Sequence, residues 1–469
     1  MKPILATLIC FCGIAGLFYL DRERSVRSSK ALWLPVIYLW LVCSRSVSEW
    51  LGVSSGESVN AQIEGSPIDA VFFSLLLAFA IAILYRRRRK VRILLAANWP
   101  ILLYFTYCLI SASWSYYPDI SAKRWIRSTS DLVMMLVVVT DPDPTAAIKR
   151  LLSRAGFVLL PLSLLFIKYT DLGRGYTPDG LTVNTGITTN KNVFGVVLLV
   201  ISIGTFWQLL RLWRTKKSRE RKNRLIAQTT LLLFCLVLLR MADSATSLAC
   251  FALGGGLMFA TTLRTFRRRP ARVGLLCAAV LIAAGFAFAF SVNTVASALG
   301  RNSNLSGRTD IWAALIPTVP NALFGAGFEG YWISPNAKLL WNALSRAGWW
   351  HPEILVTEAH NGYIELYLNL GWVGIGIVVL ILVSGLARGL AALKRNQSLA
   401  GLALAYITVS FIYSATEAGF RSPNPIWIFL LLSILTSTGI TSGLITESVV
   451  QEGKRLGVPH PQTVQTNLA

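Results

Sequence analysis

The run TEAHNG, Thr357 to Gly362, closes a polar stretch and leads straight into an apolar one, with Gly371 and Gly374 following nine residues after Asn361. Imidazole has a reference pKa of about 6.5, so it can take or release a proton near neutrality. His360, set where a loop meets a membrane helix, is a candidate general base. Glu353 and Glu358 are rival bases, because burial tunes a carboxylate upward. A lone interfacial histidine can equally be structural. The segment SGRTDIW, Ser306 to Trp312, offers a permanent cation in Arg308. A guanidinium presents five donors in a planar fork suited to phosphate. The competing reading is a solvated loop arginine paired with Asp310. Downstream, Gly325, Gly327 and Gly330 predict a tight turn where backbone approaches something closely. Gly371, Gly374 and Gly376 would let a neighbouring helix pack closely and fix the depth of the turn before them.

Further cations lie where a membrane protein usually has few. SASWSYYPDISAKRWIRS, from Ser111, carries Lys123, Arg124 and Arg127, and GITTNKNVFG, from Gly186, carries Lys191 and Asn192. Each could bind an anion or anchor a lipid phosphate. Arg240 and Asp243 flank a break between apolar blocks, where ionisable groups are costly and so are functional or mutually paired.

These residues need elements to hold them. The chain has 469 residues, 54% hydrophobic and 14% charged, with mean hydropathy +0.56. Soluble chains are about 45–50% apolar and about 25% charged, so several soluble domains are excluded. A helix needs about 20 apolar residues to span the hydrocarbon. Blocks of about that length begin near residues 3, 31, 68, 93, 126, 155, 192, 225, 247, 273, 363, 399 and 426. Those near 31, 126 and 155 are short or interrupted. The fold class is an all-α polytopic membrane protein with about 11–13 transmembrane helices, and one long periplasmic loop containing short helices.

Most of the 45 Lys and Arg residues fall in alternate loops: 22–30, 86–92, 149–154, 211–224, 264–272, 388–395 and the tail. The positive-inside rule puts those loops in the cytoplasm and makes a nucleic-acid partner unnecessary for the net charge of +23. The first block, with Lys2 before it and a charged run after it, reads as a retained anchor with its N-terminus outside. The expected organisation is an N-terminal transmembrane bundle of about ten spans over 1–291, a periplasmic loop subdomain over 292–363, and C-terminal transmembrane helices over 364–446. A disordered cytoplasmic tail over 447–469 follows. The loop holds Trp312, Trp332, Trp341, Trp349 and Trp350, either an interfacial aromatic belt or a binding surface. The seven cysteines lie in or beside apolar blocks and read as small packing residues.

His360-Asn361 with Gly371 and Gly374, SGRTDIW with its downstream glycines, SWSYYPDIS and NKNVFG together resemble the O-antigen ligase and polymerase superfamily. The text around SATEAGFRSPNPIW and SRSVSEWLG is similar to rhizobial-type exopolysaccharide polymerases. The resemblance implies an inner-membrane glycosyltransferase that needs neither a nucleotide sugar nor a metal. It would take a glycan from undecaprenyl pyrophosphate at the periplasmic face and pass it to an acceptor hydroxyl. His360, as base or as acceptor-positioning residue, is then the catalytic candidate, with Glu358 beside it. Arg308, Arg240, Lys191 and Arg124 become pyrophosphate contacts, and Asn361, Gly371, Gly374, Gly325 and Gly327 motif residues. Members often carry a Ser-Arg pair where this chain reads Ser244-Ala245-Thr246-Ser247, and Arg240 is the candidate replacement. No cofactor is implied. The partners are the bilayer, the lipid-linked donor, a polysaccharide or lipid A core acceptor, and a chain-length regulator. The implied reaction is polymerisation of repeat units into exopolysaccharide. Ligation to lipid A core is the close alternative, and a polysaccharide flippase or transporter the alternative from another class.

Overall fold

A computed structural model describes residues 3–23, 28–53, 65–176, 180–267, 269–291, 308–346 and 357–446. The expected tail, Arg301, Ser306, Trp349, Trp350 and Glu353 lie outside these residues. The chain opens with α1 (Pro3–Leu20), α2 (Trp33–Val42), α3 (Val47–Trp50), α4 (Pro67–Arg86), α5 (Arg88–Ala97) and α6 (Trp99–Ser111). It continues through α7 (Pro118–Val139), α8 (Pro144–Tyr169), α9 (Lys191–Trp213), α10 (Arg219–Met241), α11 (Ala245–Thr262), α12 (Arg264–Arg267) and α13 (Pro270–Ser291). The loop region supplies α14 (Arg308–Leu315) and α15 (Pro335–Arg346), and α16 (Gly362–Ala392), α17 (Gln397–Thr416) and α18 (Pro425–Thr441) complete the bundle.

Local sequence sets the helix starts. Proline opens α4, α7, α8 and α18, where its missing N–H costs nothing. Asn190, Ser218, Ser244, Asn396 and Asn424 accept backbone N–H bonds as N-caps of α9, α10, α11, α17 and α18.

The protein is a multi-pass membrane protein, and its described spans differ in detail from the sequence count. Eight helices are long and apolar enough to cross a bilayer: α1, α4, α8, α9, α10, α11, α16 and α17. The block near 93 is not one straight span, because the chain turns by 87° between α5 and α6. The blocks near 31, 273 and 426 form shorter apolar helices. The block near 155 is not interrupted: α8 runs 26 residues through Pro161. The block near 126 becomes α7, whose first half carries Asp119, Lys123, Arg124 and Arg127 while its second half is buried. The all-helical expectation has a small exception in an antiparallel hairpin, β1 (Arg174–Tyr176) with β2 (Thr182–Asn184). Cys43, Cys108, Cys235, Cys250 and Cys277 are buried packing residues as expected, whereas Cys12 is exposed.

The centre of the bundle is α16, α17 and α18 packed on one another, with α7, α9 and α11 around them. The Tyr413 hydroxyl reaches the Asn192 carbonyl at 3.5 Å, while the Trp207 indole donates to the Ser398 carbonyl at 3.0 Å. So α9 and α17 run antiparallel, and the start of α9 shares an end of the bundle with Thr416. A second, smaller core of Ile311, Leu315, Tyr331, Trp332 and Leu340 closes over that end with Ala359 and Leu368.

The break in α16 joins the two cores. Gly371 has φ 63° and ψ −163° inside an otherwise helical run. A Cβ there would lie 2.2 Å from the Leu323 carbonyl oxygen. Only glycine can adopt this conformation and admit that backbone. The amides freed by the break donate to the loop: Trp372 to the Ala322 carbonyl at 3.0 Å and Val373 to Leu323 at 3.1 Å. In return the Ala326 amide donates to the Leu368 carbonyl at 2.9 Å. What approaches Gly371 is thus a turn of the loop, not the neighbouring helix expected from sequence. Gly374 faces its own Leu370, and Gly376 faces open space.

Candidate active site

His360 is held on both sides. Its predecessor Ala359 donates its amide to Glu365 Oε1 at 2.5 Å and accepts the Trp312 indole N–H at 2.7 Å. The Trp332 indole donates to the same carboxylate, at 2.9 Å from Oε2. Its successor Asn361 caps α16, accepting from Tyr363 N at 2.9 Å and Ile364 N at 3.2 Å. The Asn361 amide then donates to the Ala415 carbonyl at 2.9 Å, tying the start of α16 to the end of α17. Between these anchors His360 has φ 49°, a left-handed conformation unusual for a residue with a Cβ. Such strain persists only where the surroundings over-determine it. Trp312 and Trp332 therefore act as scaffold here, rather than as the aromatic belt or binding surface expected from sequence.

The charges around His360 come from three separated stretches. His360 Nδ1 lies 2.8 Å from Glu358 Oε1 and 3.6 Å from Glu417 Oε2. The contact to Glu358 is short but off-line for a hydrogen bond, and that to Glu417 is too long for one. Arg308 reaches the other Glu417 oxygen, Nη2 to Oε1 at 2.9 Å, and donates through Nη1 to the Thr416 carbonyl. Glu417 thus bridges the two residues that the sequence singled out. Arg421 pairs with Glu329 Oε2 at 3.2 Å and donates to the Thr357 carbonyl at 3.1 Å. Arg124 donates to the Glu329 carbonyl at 2.6 Å.

Burial works against charge on His360, but Glu358 and Glu417 more than offset it and raise its pKa to about 9. Burial also works against the Glu358 carboxylate, yet His360 holds it below the usual range. The Arg421 guanidinium, though buried, is held charged by Glu329, Glu365 and Glu358. The His360 imidazole is therefore held protonated beside the Glu358 carboxylate, with the Glu417–Arg308 pair on its other side. Donor atoms of Glu358, His360 and Glu417 lie within 4.8 Å of one another, a spacing a divalent ion could bridge. The Arg308 guanidinium on Glu417 opposes a cation there.

Not every expected contact joins this cluster. Arg308 pairs with Glu417, while the Asp310 side chain weighed from sequence as its partner lies outside those described. Arg124 joins through Glu329, beside rather than within the His360 group. Lys191 starts α9 on the same end of the bundle, next to Asn192, but the described contacts do not bring it to Arg308. Arg240 is exposed at the end of α10, and among the described residues it forms no ion pair with Asp243. Asp243 sits in a left-handed turn, φ 49°, between α10 and α11, so the expected pair does not form. Gly325, φ 70°, is the tight turn expected: a Cβ would lie 2.4 Å from the Asn369 carbonyl carbon. At Gly327 a Cβ would lie 2.8 Å from the Ser111 carbonyl oxygen, at the end of α6, and 2.8 Å from Ser115 Cα just beyond it.

Glu417, Arg421, Glu329 and Glu365 were not assigned from sequence. The signal for the first two was present. They are charges in the short segment between two apolar blocks, on the side where the His360 loop emerges.

Residues 228–379 match the sequence model of a family described as O-Antigen ligase. That region contains Arg240, Arg308, Glu358, His360 and Gly371, and ends before Glu417 and Arg421. The exopolysaccharide production protein ExoQ of Rhizobium meliloti is 26% identical over 286 residues, covering 59% of this chain and 62% of that protein. The family match and the relative together support, for the region they cover, the resemblance to the O-antigen ligase and polymerase superfamily.

Proposed function

We propose that the protein is a periplasmic-face glycosyltransferase of the inner membrane. It polymerises oligosaccharide repeat units carried on undecaprenyl pyrophosphate into exopolysaccharide. The observation that carries this reading is the Arg308–Glu417–His360–Glu358 cluster, which places two cations and two carboxylates at one end of a membrane bundle. The superfamily and the name of the rhizobial relative give it a substrate class. The opposite end gathers the basic loops, which orients the cluster outward by the positive-inside rule. The domain division expected from sequence, with a periplasmic subdomain over 292–363, belongs to this reading.

The chemistry follows from the charges. Arg308 spends N–H donors on Thr416 and Glu417, leaving others of its five for phosphate oxygens. The acceptor hydroxyl oxygen attacks the anomeric carbon, and the bond from that carbon to the pyrophosphate oxygen breaks. The electron pair leaves on the pyrophosphate, where Arg308 and the His360 imidazolium stabilise the growing charge. The hydroxyl proton passes to the Glu358 carboxylate. Attack opposite the leaving group inverts the anomeric centre. His360 already holds a proton at neutral pH, so Glu358 takes the role of base and His360 that of cation and positioner.

The test is polymer formation by the full chain reconstituted with lipid-linked repeat units and no gradient. His360→Ala should leave the donor uncoupled from chain growth, with lipid-linked repeats persisting. Undiminished polymer in that variant would overturn the assignment. Transfer only to a lipid A core acceptor would establish the ligase reading, which the family description favours. Movement of label across the bilayer with unchanged chain length would establish a transporter.

A further inference from the structure

Polymerisation joins two glycans that are each carried on a lipid pyrophosphate in one membrane leaflet. The Arg308 cluster accounts for one of them. A second cationic pocket lies between α4 and α7, at the same end of the bundle, with a volume of about 460 Å³. Lys123, Arg124 and Arg127 project into it at helical spacing, from one face of the first turns of α7. Phe73, Leu77 and Ile120 form its apolar wall. The Arg127 guanidinium sits 5.2 Å above the Phe73 ring.

Two carboxylates, Glu49 and Asp69, line the same pocket and are held by neighbouring serine donors, which leaves the three cations in excess. Asp69 accepts from Ser48 N at 2.9 Å and Ser48 Oγ at 2.7 Å, and Glu49 accepts the Ser46 amide at 2.7 Å in a capping box. Asp131, deeper along α7, accepts from Tyr38 and Ser422 at 2.6 Å each. Among the described residues, Lys123 and Arg127 form no ion pair. Charge-bearing donors above an apolar wall at a membrane edge match a phosphate whose ester carries a long hydrocarbon. Arg124 connects this pocket to the first cluster, since it donates to the Glu329 carbonyl while the Glu329 side chain pairs with Arg421 and Arg421 holds the Thr357 carbonyl.

We propose that the pocket of Lys123, Arg124 and Arg127 is a second polyprenyl-pyrophosphate site, holding the lipid-linked acceptor while the donor occupies Arg308. This inference rests on the polymerase reading and gives it a second lipid substrate. Glu329 and Arg421 then form the short bridge across which the acceptor glycan reaches the anomeric carbon.

The experiment is equilibrium binding of farnesyl pyrophosphate to the full chain in nanodiscs of neutral lipid. Two molecules should bind per chain. The double variant Lys123→Ala/Arg127→Ala should lose one of them, its affinity falling about tenfold or more for two lost charged contacts. Arg308→Ala should lose the other, and Lys123→Arg/Arg127→Lys should keep both. Both replaced side chains are exposed, and the charge-retaining variant separates lost binding from lost folding. Two molecules still bound by the double alanine variant would overturn the proposal. Inorganic pyrophosphate bound at this pocket as tightly as the prenylated probe would reduce it to a free-anion site and overturn it. Displacement of the probe by phosphatidylglycerol at bilayer concentration would mark a bulk-lipid anchor and overturn it too. A failure of the polymerase reading would look different: two molecules would bind and respond as stated, yet no polymer would form.

Discussion

Two charged clusters stand at opposite ends of the bundle, and they are built for different purposes. At the start of α8 and α10, Glu23 pairs with Lys149 at 3.1 Å and Arg224 at 3.2 Å, and Asp21 lies 3.5 Å from Arg224. Gln228 joins Asp21 to Ser153. The side chains of these pairs are 12–20% exposed and their backbones are ordinary. At the other end, the His360 and Glu358 side chains are each 31% exposed. His360 and Glu329 there have left-handed backbones, and Gly325, Gly327 and Gly371 hold the chain in conformations other residues avoid. The first cluster closes on itself and locks α1, α8 and α10 together. The second leaves His360 and Glu358 reachable, keeps Arg308 and Glu417 as covered as the first at 18% and 10%, and spends backbone strain to aim them. Charge alone does not mark a site; charge with strain and access does.

The sharpest way to break this contrast is to remove one cation from each end. Arg308→Ala should cut polymer formation by about 10²–10³-fold, the scale of a lost electrostatic donor in a transition state. Turnover by reconstituted protein measures it, and a near-normal rate would make the outer cluster structural like the inner one. Glu417→Gln should lower turnover by about 10²-fold, because it releases Arg308 and His360 from their shared carboxylate and misplaces both. The same variant sharpens the roles through pH. With Glu358 as base and His360 as cation, the rate should hold through neutrality and fall as pH passes about 9, when His360 loses its proton. Glu417→Gln removes one of the carboxylates that raise that pKa, so its falling limb should move to lower pH. A rate that climbs through pH 9 to a plateau would return the role of base to His360.

Stability carries the smaller predictions. Gly371→Ala should cost about 1–3 kcal/mol from backbone strain, before counting displacement of the 322–324 turn, and a fall in melting temperature would register it. Lys149→Ala should destabilise by about 1.5–3 kcal/mol, the scale of a hydrogen bond to a charged group, while turnover by the folded protein stays unchanged. Lost turnover without lost stability would erase the distinction between the two ends. The smallest effect follows from His360 itself. Its folded pKa is raised, so the stability it adds is complete below about pH 6.5, the unfolded value, and disappears as pH rises past about 9. Melting curves across that range, compared with His360→Ala, read it directly.

The sequence by itself determined the membrane architecture, because apolar length and charge asymmetry are local properties that need no folding to be counted. It also singled out Arg308, His360, Asn361 and Gly371, whose chemistry or backbone freedom is unusual for where they stand. Their partners could not be found that way. Glu417 meets Arg308 across 109 residues, and Arg421 meets Glu329 across 92. Only the docking of the 308–340 segment over the end of α17 makes them neighbours. The proposal of His360 as cation rather than base rests on the same kind of placement: an imidazole takes its pKa from the charges set against it, and here those are two carboxylates. Gly371 was recognisable as a place of close approach, but what approaches it was decided by a turn fitting into a broken helix. Periodicity and composition are written along the chain, whereas electrostatic environment arises only when distant segments meet.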